Sequence, residues 1–461
     1  MEGLEATEVL YSDALQEDLA FRIDSEFFRR TIFRAKRQLE HQGKTYRLAE
    51  LSLSIEHPVE ITRSYSDKGG FRVLLAQEVR NNILMLGEGS YLDDPSATFL
   101  KKNKLNAGDI VLTRSGANFG QCAPILTGRT LFACADLLIL RKISLPAEYV
   151  STVLNTAQGR LILDRGAYGM AQPHIAPTYL RGLPIPVFDQ IVDPVKDVVQ
   201  LATQVRDAGL AALKRAEETL LHALGLDTWT PPEALSYVRS SKQIFATGRL
   251  DAQFFAPRVE QLLARLGRDG LRLSDVAFVR RERFEPTGLD NFNYIEIGSL
   301  GSDGTAASES VPMAEAPSRA TQYVRTGDVI TSTVRPIRRL SALVAPEQDG
   351  AVCSSGFVVL QPQKISGEVL LTYLRLPLVC ELMDLHTSAT MYPAISESDL
   401  LALPIPAISP SVQVQIQNAV RQSAHARQHA ARLLDAAKRA VEIAIEDSEA
   451  AALAYLAQAS T

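Results

Sequence analysis

Four segments of the first half of the chain return in the second half, in the same order and about 220 residues further on. Phe21 to Phe28 (F-R-I-D-S-E-F-F) returns as Gly248 to Phe255 (G-R-L-D-A-Q-F-F), matching Arg22, Asp24, Phe27 and Phe28 to Arg249, Asp251, Phe254 and Phe255. Gly108-Asp109-Ile110 returns as Gly327-Asp328-Val329. A-C-A-D-L-L-I-L from Ala133 returns as V-C-S-S-G-F-V-V-L from Val352, with Cys134 and Cys353 at the same spacing as the Gly-Asp pair. Gln172 to Pro186 returns as Tyr392 to Pro406, and both end in Leu-Pro-Ile-Pro. A single core is excluded: the chain is two copies of one unit, and 461 residues suffice for both.

Each copy follows one grammar. Short β-branched runs, Ile110 to Thr113, Leu137 to Leu140, Val329 to Thr333 and Phe357 to Leu360, predict a strand-rich portion. Leu-Pro-Ile-Pro closes it, because each proline fixes its own φ and restricts the residue before it. The period then changes. Val198, Leu201, Val205, Ala208, Leu213, Ala216, Leu220 and Leu224 recur at mostly three- and four-residue steps until Gly225. Val412, Ile416, Val420, Ala424, Leu434, Ala437, Val441, Ala444 and Ser448 trace a similar stripe to about Ala457. Unbroken helices there would run roughly 48 Å and 70 Å. Alanines such as Ala430, Ala436 and Ala437 favour helix and allow close approach. The expected fold is α+β: two similar strand-rich domains, residues 1–188 and 227–408, separated by long helices at 189–226 and 409–461 packed as an antiparallel coiled coil.

Catalytic chemistry finds no foothold. There is no glycine-rich cofactor loop leading into a helix and no G-K-[ST] phosphate loop, and Ser115 to Gly120 lacks the acidic partner of a dinucleotide site. Glu282 and Glu285 have no counterpart spacing in the other copy. His425 and His429 sit four apart on a helix, where an exposed polar face explains them. Cys122, Cys134, Cys353 and Cys380 show no C-x-x-C spacing, so reduced, partly buried thiols are expected and a metal site is not. Met1 to Ala20 is acidic rather than signal-like, and no apolar run reaches the roughly 20 residues of a membrane helix, which predicts a cytoplasmic protein with no membrane contact. The net charge of -5 argues against a chain that grips nucleic acid alone.

The duplicated Gly-Asp strand entries, the Tyr294 to Leu300 segment, the Ser/Thr-rich turns and the twin Leu-Pro-Ile-Pro closures followed by helices resemble the specificity subunit of type I restriction-modification systems. The resemblance spans Phe21 to about Tyr455. It departs from the family's usual helix opening, reading Asp189-Gln190-Ile191-Val192-Asp193 in the first copy. It implies two target-recognition domains reading a split sequence in double-stranded DNA, with no catalysis by this chain. It also implies two methyltransferase subunits as partners, together with restriction/translocation subunits. S-adenosylmethionine, ATP and Mg would belong to those partners, leaving no cofactor on this chain. The alternative is a stand-alone or defence-associated DNA-binding adaptor.

Candidate DNA-facing residues come from the basic and polar clusters of the strand-rich portions. These are Lys101, Lys102, Lys104, Arg114, Ser115 and Asn118 in the first copy, and Arg280, Arg281, Arg283, Arg335, Arg338 and Arg339 in the second. Arginine can bridge guanine O6 and N7 or hold phosphate, and asparagine can pair with adenine. Arg114 and Arg335 are expected at similar places after the duplicated Gly-Asp strand. The Arg, Asp and two Phe of each entry motif read as structural, an ion pair with ring packing.

Overall fold

A computed structural model describes residues 27–41, 43–60, 65–66, 71–86, 89–92, 100–116, 119–168, 173–288, 290–388 and 393–459; Arg22, Asp24, Asn118, Gln172 and Tyr392 lie outside them. The chain divides into two compact units, Met1–Asp207 with Ala426–Thr461, and Ala208–His425.

In the first unit the apolar runs form the middle of a four-stranded antiparallel sheet, in the order β2 (Ser52–Glu56), β11 (Leu137–Ile143), β8 (Ile110–Thr113), β9 (Cys122–Pro124). These strands lack polar alternation because both faces are covered. Ile110, Leu112, Leu138 and Leu140 enter a core shared with helices, whereas Val111, Leu137 and Ile139 enter one shared with a second sheet. That second sheet runs β10 (Leu131–Ala133), β4 (Phe71–Leu74), β7 (Ser90–Leu92), β3 (Tyr65–Ser66), with β10 and β4 parallel. A small hairpin, β5 (Val79–Arg80) and β6 (Ile83–Leu84), turns at Asn82.

The helical layer begins with α1 (Arg30–His41) and the short α2 (Leu48–Leu51), and continues with α3 (Ala147–Asn155) and α4 (Ala157–Arg165). The hairpin of β12 (Ala167–Tyr168) and β13 (His174–Ile175) and the short α5 (Pro177–Arg181) then lead to β14 (Pro184–Val187). The Leu-Pro-Ile-Pro closure is therefore a strand. It pairs antiparallel with β1 (Lys44–Arg47) in a two-stranded sheet, where prolines without N–H are tolerated. The buried Tyr149 hydroxyl fixes it by donating to the Pro186 carbonyl at 3.0 Å.

The second unit repeats the plan. After α7 (Ser241–Thr247), α8 (Pro257–Leu266) and α9 (Leu273–Val276), its first sheet runs β15 (Ala277–Val279), β22 (Phe357–Pro362), β19 (Val329–Ser332), β20 (Ser341–Leu343). The other runs β17 (Glu309–Pro312), β16 (Asn291–Ile295), β21 (Val352–Ser354), β18 (Ala320–Tyr323), with β16 and β21 parallel. Helices α10 (Gly367–Leu374) and α11 (Pro377–Leu385), the hairpin β23 (Thr387–Ser388) and β24 (Ala394–Ile395), and α12 (Glu397–Ala402) follow in the same order as before. Tyr373 bonds the Pro404 carbonyl, as Tyr149 bonds Pro186.

The repeated Gly-Asp is a strand-entry turn. Gly108 and Gly327 take φ of +86° and +84°, which glycine adopts without steric cost. Asp109 accepts the Asn106 N–H at 2.9 Å and Arg141 at 2.8 Å; Asp328 accepts the Arg325 N–H at 2.8 Å and Arg280 at 2.5 Å. The entry motif has the expected structural chemistry in the second unit. Arg249 pairs with Asp251 at 2.7 Å and lies 4.4 Å from the Phe254 ring centroid, and that ring meets Phe255 and His386 edge-on. In the first unit, among the described residues, the Arg165 guanidinium lies 3.9 Å from the Phe27 centroid.

The two stretches after the closures are the helices α6 (Val192–Leu224) and α13 (Pro410–Glu446). In the first unit Val195, Val199 and Ala202 share a core with Leu433, Ala437, Ala440 and Ala444. In the second, Leu213, Ala216, Leu220 and Leu224 share one with Ile416 and Val420. The early part of each helix thus packs with the late part of the other, an antiparallel pairing. Each compact unit takes part of each helix. The second stretch is also not one helix to Ala457. It breaks after Glu446, and Ser448 starts α14 (Glu449–Ala459) by accepting the Ala451 N–H at 3.3 Å. Glu449 then accepts the Gln190 N–H at 2.8 Å, just before α6. All four cysteines are buried free thiols, and no helix among the described residues is long and apolar enough to cross a membrane.

Ala440 is wholly buried in the helix seam. Ala440→Leu should therefore cost about 1–3 kcal/mol by overpacking, read as a lower urea midpoint; an unchanged midpoint would show that the seam is loose. Burial pushes the His386 imidazole below its ordinary value, with Asp399 opposing and Arg249 adding to the shift. A base whose folded pKa is depressed contributes stability that is complete above its unfolded value, about 6.5, and lost as pH falls through the folded one. His386→Phe, which keeps a ring against Phe254, should flatten the loss of stability between pH 7 and 5, measured by melting at each pH.

Candidate nucleic-acid interface

The loops that follow β8 and β19 are built on one backbone pattern. The Thr113 N–H donates to Gln121 O and the Ser332 N–H to Leu340 O, both at 2.8 Å. The Ile175 N–H reaches Arg114 O at 3.3 Å, and the Ile395 N–H reaches Thr333 O at 3.0 Å. Single bridges join Ser115 to His174 and Val334 to Ala394. Each loop is thus laced to its β-hairpin, and the lacing fixes the equivalences: Arg114 with Thr333, Ser115 with Val334, Gly116 with Arg335, and Gly120 with Arg339. The register is the 219-residue offset of the Gly-Asp pair, so Arg335 follows its Gly-Asp strand two positions later than Arg114 follows its own.

The equivalences carry a conformational signal. Gly116 and Gly120 have φ of +89° and +71°; Arg335 and Arg339 hold the same left-handed region at +51° and +59°. For an L-residue that region costs roughly 1–2 kcal/mol, and glycine escapes most of the cost. The second unit therefore keeps two arginines where the first uses glycines.

Surrounding bonds hold this strained loop in place. Between the two arginines, Pro336–Arg338 makes one 3-10 turn. The Arg335 N–H donates to Pro393 O at 2.8 Å, and Arg339 Nε donates to Arg375 O at 2.7 Å while its other end pairs with Glu217 of α6. Arg375, only 3% exposed, donates in return to the carbonyls of Arg339 at 2.7 Å and Ser341 at 3.3 Å, and also to Ser302. Burial lowers the Arg375 pKa and the nearby Arg339 charge adds to that, while Glu217 and Asp303 oppose both. Glu217 is thus the counter-charge for a pair of arginines. In the first unit Asn155 has the corresponding place, donating to Cys122 O at 2.8 Å.

Ile337 (51% exposed) and Arg338 project from the turn, and Arg335 lies half-buried beside them. In the first unit Arg114 is half-buried, while Ser115 is buried with its hydroxyl donated to Asp136 at 2.8 Å. Ser115 therefore shapes the loop rather than facing a ligand, and Asn118 lies outside the described residues. Lys101, Lys102 and Lys104 are exposed at the opposite end of β8, on a turn that Arg141 ties down through the carbonyls of Lys102 at 2.7 Å and Lys104 at 3.0 Å. Four strand residues, about 13 Å, separate the lysines from the loop. Arg280 is engaged by Asp328 and Arg281 by Glu397 at 2.9 Å, whereas Arg283 is exposed. Sequence reasoning misses the hairpins, with Tyr168 exposed beside the first loop. Their only sequence signal is that both precede Leu-Pro-Ile-Pro at the same distance. Among the described residues no group of His, Cys, Asp and Glu could hold a metal ion.

Removing the Arg375 guanidinium would take a donor from the buried Ser341 carbonyl and from the more open carbonyls of Arg339 and Ser302, and stranding the buried one costs about 1–3 kcal/mol. Arg375→Met should accordingly destabilise the second unit by about 1–3 kcal/mol in urea unfolding, and a loss under about 1 kcal/mol would mean that other donors satisfy the loop.

The chain is similar to solved structures along nearly its whole length. The type I restriction-modification system S subunit from M. genitalium is 12% identical, with 90% of this chain and 96% of that chain covered and a TM-score of 0.38. A chain from a structure of complex assembly and conformational transition of the type I R-M system is 16% identical, covering 91% and 97%, with a TM-score of 0.26. The HsdS subunit from Thermoanaerobacter tengcongensis is 16% identical, covering 91% and 97%, with a TM-score of 0.24. No protein-family model and no curated protein sequence matches the chain.

Proposed function

We propose that this chain is a non-catalytic DNA-specificity subunit that reads a two-part target in double-stranded DNA and positions adenine methyltransferase subunits over it. One observation carries the reading: a loop laced to a hairpin occurs twice, with the same lacing bonds and left-handed end positions and different side chains there. A shared scaffold with exchanged tips suits an address of two different parts, because base identity is read by side chains while the scaffold sets their approach. In this reading Arg114, Arg335 and Arg338 reach bases, and Lys101, Lys102 and Lys104 hold phosphate.

The remaining chemistry falls to partners. Two methyltransferase subunits would supply S-adenosylmethionine and flip the target adenine. In the full complex, restriction/translocation subunits would supply ATP- and Mg-dependent cleavage. The net charge of -5 fits this division, since partners would then make much of the phosphate contact.

The test is to co-express the chain with the methyltransferase encoded beside it and map methylated adenines. A split motif that appears only when both chains are present is the expected result. Methylation unchanged on deletion of this chain, or tight specific DNA binding by the chain alone, would overturn the reading.

A further inference from the structure

The two loops share their lacing bonds and left-handed end positions but differ in the residues that stand there. At the position where the second unit projects Arg338 from its 3-10 turn, the first unit has Phe119, partly buried against its own core. The left-handed positions Gly116 and Gly120 carry no side chain of their own, with the Arg160 guanidinium lying against Gly120 and donating to the Phe119 carbonyl at 2.7 Å, while Arg335 and Arg339 occupy the corresponding positions. Two glycines would have given the second loop its shape with less strain. Strain retained in a loop that the surrounding structure over-determines is a mark of a functional tip.

Resting on the function proposed above, we infer that Arg338 is a specificity-determining residue of the second unit, reading a guanine through O6 and N7, so that the half-site of this unit contains a G·C pair. Three features favour a base over a phosphate. Arg338 is exposed and, among the described residues, has no side-chain partner, so its guanidinium is available. Pro336 and the tethers from Arg339 to Glu217 and Arg375 fix the turn beneath it, which suits a directional bidentate contact more than a diffuse charge attraction. Ile337, half-exposed beside it, meets a base edge or a thymine methyl at no cost in a groove, whereas along a phosphate backbone it would face water. Arg339, committed to Glu217, positions the loop and does not read.

The experiment uses the complex of the full chain with its methyltransferase, selected against a randomised duplex DNA library. Wild type should yield a split motif, and Arg338→Gln should lose base preference at one G·C position of one half, leaving the other half unchanged. Replacing that guanine with 7-deazaguanine, which lacks N7, should weaken wild-type binding about 10-fold or more and leave the variant nearly unaffected. A uniform loss of affinity across all sequences in Arg338→Gln would make it a phosphate contact and overturn the inference, as would a motif unchanged in both halves; either result leaves the specificity function standing. Absence of any split motif from the wild-type complex would remove both. Circular dichroism melting of the variant, expected to match wild type, excludes misfolding as the cause.

Discussion

The apolar seam between α6 and α13 is the contact on which both units depend. Val195, Val199 and Ala202 close the first core only with Ala437, Ala440 and Ala444, and in the second core the small Ala216 sits among Leu213, Leu220, Ile416 and Val420. The first unit completes its core from two separate stretches of chain, whereas the second is the continuous stretch Ala208–His425, which carries parts of both helices. Wholly buried alanines at Ala437, Ala440 and Ala444 bring backbones close, so that the seam is made by proximity and dispersion rather than by large side chains.

Polar contacts then tie each strand-rich portion to the helices in its own unit. In the first, Glu442 accepts the Ala157 N–H at the start of α4 at 3.0 Å, and Gln200 donates to Glu148 on α3 at 2.6 Å. In the second, Arg421 donates to Glu368 on α10 at 2.7 Å, and Glu217 holds Arg339. Partly buried charges of this kind contribute less to net stability than to fixing one arrangement, because desolvation offsets much of their attraction. Their consequence is geometric: in the second unit the arginine loop is referenced directly to α6.

The strand-rich portions show why a doubled sequence need not mean doubled function. Gly108 and Gly327 make the same turn for the same reason, and Asp109 and Asp328 satisfy the same type of backbone N–H. The scaffold tolerates little change at these points. At the left-handed positions that bracket each loop the conformation repeats but the residues diverge, glycine against arginine, so these positions are where the two copies differ in chemistry.

The duplication, the strand runs around Ile110 and Val329, the closures and the two long helices were legible in the sequence, because period, proline and repeated order are local properties. So was the structural role of Arg249, Asp251, Phe254 and Phe255. The burial of Ser115, the break at Asp447-Ser448 and the clamp made by Arg375 and Glu217 were not legible. Each of these depends on hydrogen bonds or burial between residues distant in the chain, and linear spacing carries no record of which partner a side chain meets. The amino-acid order by itself determined that there are two like units with helices after each; only tertiary packing decided which arginines hold the loop and which face outward, because that choice rests on where Glu217, Asp328 and Glu397 arrive in space.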